Sequence, residues 1–525
     1  MPNRPMPNRM TDRLRTLAAV LALIGVAALP FDAAAQKAKD TFRFGFTTPL
    51  DLLDPYYSGL REITMISGDL VFDKLVYKDP KTFEYKGLLA SSWKWIDTTT
   101  LEMELRRGVT WHDGRPFTAD DVKYTFDYIT DKASKVYNPE WNSWIKSTEK
   151  LDDHKVRIVT NGPTGPAIEY LAEVLPILPK GHYVQPGKAA AVAGAKIVGT
   201  GPYRVANFEA GRQVVYERNE SYFADSPKGK PAIKILVFRN LPDQATQIAE
   251  LLAGGIDWMW RVPPDVLPRL ASNAKLRAGA GGSMRTYWVR FDLHGANAHP
   301  AFKDKRVRQA VAHALDRKTM AAAIAGPSSP VLNLMCVPGQ IGCPNQDSVQ
   351  LPAFDPKKAK ELLAAAGHAN GFKVPFWIYS RAVHNQIAEA TQGYLRAVGI
   401  ETALNVIQSV PFYERIEKGE FPLTMESNGW YNINDVEILY PLFFAGGERD
   451  LAKDPQIVAW MQEAGKTADA AKRRQLLESI AKRMTEEVLV IPLFTDVLNY
   501  AWSSDVDFAP PQEENPRLFL VRWSN

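Results

Sequence analysis

Runs with strand periodicity alternate with amphipathic segments along almost the whole chain, and this alternation most limits what it can fold into. Thr41–Phe46 (TFRFGF), Leu101–Arg106, Val156–Thr160, Val214–Glu217, Ile233–Arg239, Tyr287–Phe291 and Val488–Phe494 read as strands. Between them, Val122–Ile129, Gln244–Ala253, Asp304–Leu315, Lys357–Ala366 and His384–Val398 carry apolar residues at helical spacing. Thr118 is placed to cap the first of these helices, and Asp121 three residues on makes a near capping box. Strands alternating with helices of about 10–15 residues predict α/β lobes. The 525 residues exceed what one hydrophobic core fills, so two or three domains are expected.

The N-terminal end predicts export. Leu17–Leu29 (LAAVLALIGVAAL) is an uncharged apolar run of 13 residues, with arginines before it and Ala33-Ala34-Ala35 after it. It is short of the roughly 20 residues that span a bilayer, and the order of its parts is that of a secretory signal peptide over residues 1–35. No cysteine stands near the cleavage site to carry a lipid, so a free periplasmic protein is expected. No later segment is apolar enough to cross a membrane. The two cysteines, Cys336 and Cys343, bracket a short loop, MCVPGQIGC. In an oxidising compartment a disulfide between them is expected, with two buried thiols as the alternative.

Composition is that of an ordinary soluble globular protein. Hydrophobic residues make up 46% and charged residues 23%, the net charge is +4, and no long basic run occurs, which speaks against nucleic acid as a partner. Catalytic and cofactor motifs fail on inspection. Gly465-Lys466-Thr467 lacks the earlier glycine of a phosphate loop, since that position is Trp460. Gly199-Thr200-Gly201 has Arg204 where a dinucleotide fingerprint needs glycine. No GxSxG, HExxH or CxxC occurs, and His112-Asp113, an acid/base pair side by side in a turn, is poorly placed to share a proton. No metal, cofactor or catalytic residue is expected.

Several blocks, taken in order, resemble the peptide/nickel family of bacterial extracellular solute-binding proteins, family 5. They are Leu89–Phe126, IVGTGPYRV (Ile197–Val205), LLAGGIDW (Leu251–Trp258), His299–Met320 and FDPKKAKELLAAAG (Phe354–Gly367). The resemblance implies an α/β, two-lobed periplasmic binding protein, type II-like, with an extra subdomain and a hinge of two crossing strands. By analogy the first lobe comprises 36–78, 197–281 and 492–525, the subdomain 79–196 and the second lobe 282–491. A monomer is expected, delivering its ligand to the permease and ATPase subunits of an ABC importer.

The same resemblance points to ligand contacts. Arg381 stands at the family's carboxylate-reading position, where a planar guanidinium fork suits a bidentate contact; an internal salt bridge is its alternative role. The amine-reading aspartate is implied three residues after Gly429-Trp430, but Ile433 is there and the nearest acid is Asp435. Trp430, Tyr431 and Asn432 offer a flat wall with polar edges, with a core role as the alternative for Trp430. Tyr57, in the DPYYS loop after the first strand, and Trp260 and Arg261, in WMWR, are further candidates. The expected ligand is a peptide or a similar small polar solute. Alternatives are an opine, another carboxylate, a sugar conjugate, a nickel chelate or haem; a secreted hydrolase is the reading from a different class.

Overall fold

The computed structural model describes residues 40–58, 60, 62–183, 197–429, 433–467 and 469–524. Residues 1–35, read above as a signal peptide, and Trp430, Tyr431 and Asn432 lie outside them. From Phe42 onward the chain is built around one mixed ten-stranded sheet. Its strands run, in spatial order, Ile400–Ile407, Phe372–Tyr379, Leu423–Gly429, Leu276–Phe291, Val490–Ser503, Trp258–Trp260, Thr41–Phe46, Ile235–Asn240, Gln213–Arg218 and Tyr203–Glu209. The two central strands, of 16 and 14 residues, are antiparallel partners of each other.

Each end of this two-strand ribbon carries a different lobe. At one end Val490–Ser503 pairs with Trp258–Trp260, which runs parallel to Thr41–Phe46. At the other, Leu276–Phe291 pairs with Leu423–Gly429 from Arg285↔Gly429 to Phe291↔Leu423. Between these ends the ribbon changes register. Leu276↔Ser503 to Gly282↔Val497 is regular, and pairing resumes at Thr286↔Thr495. Such a break bends a strand locally and marks where the lobes meet.

The lobes have largely separate cores, although Ile433 packs into the first. In the first, the alternation of TFRFGF turns Phe42, Phe44 and Phe46 to one buried face, where Phe46 packs on Phe238 and Trp260 at ring-centroid distances of 5.2 and 5.1 Å. In the second, Val289, Phe291, Val311, Ile378 and Ile387 share a cluster. A four-stranded antiparallel sheet, in the order Ala90–Trp95, Thr100–Leu105, Lys155–Thr160, Ile145–Asp152, accompanies the first lobe with helix Ala119–Thr130. The Asp121 carboxylate accepts from the Thr118 amide at 2.9 Å, closing the start of that helix. His112 accepts from the Gly199 amide through Nδ1 and donates through Nε2 to the Gly201 carbonyl, while Asp113 turns to Arg115, so the two side chains share no proton. Gly199 and Gly201 press so closely on the Leu70–Val71 backbone that any Cβ would overlap it.

Two strands are longer than their sequence pattern announces. Tyr287–Phe291 is only the end of Leu276–Phe291, whose earlier part holds Gly279, Gly281 and Gly282. Those glycines admit the returning C-terminal segment: a Cβ at Gly281 or Gly282 would strike the carbonyl of Pro511 or Gln512.

Cys336 and Cys343 form a disulfide at a further apolar cluster of the second lobe, of which Cys336 is a buried member. Closing so short a loop removes chain entropy worth roughly 2–3 kcal/mol. The double substitution C336S/C343S is therefore expected to lower the unfolding free energy from urea titration by about that amount; an unchanged free energy would show that the loop is held without the bond.

Candidate ligand-binding crease between the lobes

The register break brings a connected set of polar side chains to the junction of the lobes. Tyr287 donates its hydroxyl to Asp496, 2.9 Å from both carboxylate oxygens. Arg285, the first residue after the break to pair with the second lobe, holds its Nε 3.9 Å from Asp496 and donates Nη1–H to the Ser427 hydroxyl at 3.2 Å. Tyr379, at the end of its strand, donates to the Ser427 carbonyl at 2.9 Å.

His384 lies under this set, fully buried. Its Nδ1 is 3.0 Å from the Tyr379 carbonyl, which can only accept, so Nδ1 carries the proton. Nε2 then accepts from the Ser427 hydroxyl at 2.8 Å, leaving the Ser427 oxygen to accept from Arg285. Burial pushes the imidazole down to about 4, with Arg381 and Arg285 adding repulsion. His384 is thus a neutral orienting group that fixes Ser427 and, through it, Arg285.

Arg381 stands exposed at the N-cap of helix Ala382–Ala397, its guanidinium 5.9 Å from the centre of the Tyr379 ring. Among the described residues it makes no ion pair. The sequence places it next to the one buried histidine of this cluster, but the Arg285–Ser427–His384 relay joins residues 142 and 43 positions apart and leaves no local pattern.

The other sequence-derived candidates are distributed differently. Arg261, in left-handed backbone, donates to the buried Glu62 at 2.9 Å and lies over the Trp260 ring at 4.6 Å. Trp260 itself is 3% exposed, packed in the first-lobe core on Phe46, so its face is used by protein. Tyr57 is engaged within the first lobe: its hydroxyl is 2.6 Å from that of Tyr128 and donates to the Ser134 carbonyl. Asp435 is 1% exposed and bonded through both oxygens to Arg473, at 2.8 and 2.9 Å. Burial, with Glu437 adding like charge, pushes its carboxyl up to about 6 against the pull of Arg473. The register shift that would offer Asp435 to a ligand amine is not what the structure shows; an internal guanidinium holds it.

No group of three or more potential ligating side chains forms a metal site among the described residues, and no described helix is long and apolar enough to cross a membrane.

Two α/β lobes built on the ends of one shared ribbon, with charged groups gathered where the ribbon bends, define a two-lobed substrate-binding protein. Residues 84–450 match the bacterial extracellular solute-binding proteins, family 5, and the chain belongs to that family. It is 26% identical over 508 residues to the glutathione-binding protein GsiB of Escherichia coli (strain K12), covering 93% of this chain and 94% of that one. It is 26% identical over 396 residues, 70% of each chain, to heme-binding protein A of Haemophilus influenzae (strain ATCC 51907 / DSM 11121 / KW20 / Rd). The crystal structure of a dipeptide-binding protein from Pseudoalteromonas sp. SM9913 in complex with Met-Leu superposes with a TM-score of 0.72 at 22% identity, covering 92% of this chain and 100% of that one.

The low affinity of His384 for a proton has a sign. Its folded value lies below the ordinary 6.5, so the unfolded chain binds the proton more tightly and stability is lost as pH falls from about 6.5 to about 4. The difference in unfolding free energy between the parent and H384Q is expected to change in that window and to be flat above it. A pH-independent difference would mean that the imidazole is not held neutral.

Proposed function

We propose that the protein is the periplasmic receptor of an ABC importer, capturing a small solute that carries a carboxylate and releasing it unaltered. A peptide or peptide-like molecule is the preferred class. The observation that carries this reading is how the candidate arginines are paired. Arg261 is neutralised by Glu62 and Arg285 faces Asp496, whereas Arg381 has no carboxylate partner among the described residues. A guanidinium brought into a closing, water-poor cleft needs an anion, and a carboxylate matches its fork. Similarity to proteins named for glutathione and dipeptide binding supports the peptide class.

In this reading residues 1–35 direct export and are removed, and the mature chain, without a lipid anchor, works as a monomer. The lobes are assigned as 36–78, 197–281 and 492–525 for the first, 79–196 for its subdomain and 282–491 for the second. Closure follows from a ligand that touches both lobes and so binds the closed form more tightly. Trp430, Tyr431 and Asn432 adjoin Gly429, the partner of Arg285, and are proposed as the ligand's flanking wall.

Native mass spectrometry of the purified protein should reveal a co-purified carboxylate-bearing solute. For that solute, Arg381→Ala is expected to raise Kd at least tenfold, since a charge-assisted bond contributes about 1.5–3 kcal/mol, while leaving the unfolding midpoint of the ligand-free protein unchanged. Unchanged affinity would remove Arg381 from the site, and chemical conversion of the solute would replace the receptor reading with an enzymatic one.

A further inference from the structure

Away from the hinge, the second lobe touches the first at a corner that no hinge or ligand argument requires. Helix Ala167–Glu173 carries Glu169, 2% exposed, whose Oε1 accepts from Lys78 at 2.8 Å and whose Oε2 accepts from the Tyr85 hydroxyl at 2.5 Å. The same Oε1 also accepts the backbone N–H of Asn434, a residue of the second lobe 265 positions later. Lys78 in turn contacts Glu173 and Glu513, each at 3.3 Å, and Arg517 holds Glu173, Glu513 and Asp69. Asn434 is therefore hydrogen-bonded to the edge of an ion cluster that belongs to the first lobe.

The neighbouring contact is steric. Arg473, fixed by Asp435 and Glu437, lays its guanidinium against Gly165. A Cβ on Gly165 would fall well inside van der Waals contact of Nε, Cζ and Nη2. Gly165 is exposed and has no positive φ, so its own backbone does not call for glycine; the approaching guanidinium does. Arg473 cannot easily move aside, because it is 7% exposed and compensates two carboxylates.

We infer that Gly165 and Glu169 are positioning residues for capture: they receive the Asn434 amide and the Arg473 guanidinium when the lobes close, and so set the population of the closed form without touching the ligand. This rests on the hinge-closing receptor reading. A receptor whose binding-competent form is populated at fraction f has an apparent Kd equal to the intrinsic value divided by f. A side chain at residue 165 opposes closure, lowers f and speeds release, while Arg381 and the crease remain as they were.

The test is Gly165→Leu, with Gly165→Ala as the milder step. Amide hydrogen exchange of the ligand-free full chain is read at Asn434 and, as an internal control, at Val289 and Arg290 in the hinge strand. Asn434 is expected to exchange faster in G165L than in the parent, in proportion to the open fraction gained, with G165A between, while the control amides and the unfolding midpoint do not move. Equal exchange at Asn434 in parent and G165L overturns the inference. Met-Leu serves as the binding probe: a raised apparent Kd in G165L, with G165A between, is the expected companion result. If the parent binds neither Met-Leu nor any other carboxylate while Asn434 still responds to G165L, the ligand reading fails and the latch stands. If Arg381→Ala weakens binding but G165L leaves Asn434 unaffected, the latch fails and the ligand reading stands.

Discussion

The hydrogen-bonded pairing of Leu276–Phe291 with Val490–Ser503 is the contact on which the rest of the architecture is assembled. These strands belong to both lobes at once, so neither lobe's sheet is complete without them. Parallel strands Phe372–Tyr379 and Ile400–Ile407, linked by helix Ala382–Ala397, reach the ribbon through Leu423–Gly429 on one side. Thr41–Phe46 reaches it through Trp258–Trp260 on the other. A continuous ribbon resists shear, but a register break needs no lost core contact to bend. The break falls at Gly282–Thr286 and Thr495–Val497, where Arg285, Tyr287 and Asp496 stand.

Charge is managed separately in each part of the molecule. Asp69, Glu173 and Glu513 are buried with Lys74, Lys78 and Arg517 in the first lobe; Arg290 and Glu426 form a bidentate pair inside the second. Against the cost of burial, Lys74, Arg517 and Lys228 hold the Asp69 carboxyl well below the usual range. Buried ions so compensated add little net stability but disfavour alternative packings. Arg381, by contrast, is exposed and makes no ion pair among the described residues.

Much of the fold is legible in the sequence because it is encoded locally. The Phe42/Phe44/Phe46 alternation and the Thr118–Asp121 helix start depend on neighbours in the chain, whereas Gly199 and Gly201 answer to the distant Leu70–Val71 backbone. The hinge strands are only half legible: Gly279, Gly281 and Gly282 weaken the strand pattern because the C-terminal segment passes against them, a tertiary reason. The site divides the same way. Arg381 is proposed from a resemblance of sequence blocks, whereas Arg285 and Ser427 meet through strand register and His384 reaches them from helix Ala382–Ala397. Trp260 has the residue type of a pocket wall, yet its ring completes an aromatic core. Asp435 has the charge expected of an amine reader, yet Arg473, remote in sequence, satisfies it first.

The central claim is that the two lobes close about the bend in the shared ribbon when a solute is bound. Spin labels on cysteines placed at the exposed positions Lys94, in the four-stranded sheet, and Glu389, on the second-lobe helix, measure that motion by pulsed dipolar spectroscopy, since the native cysteines are bonded to each other. The account predicts that a bound carboxylate solute changes the label separation to a single narrower distribution, and that the solute is recovered intact. A separation that stays the same at saturating solute would contradict it.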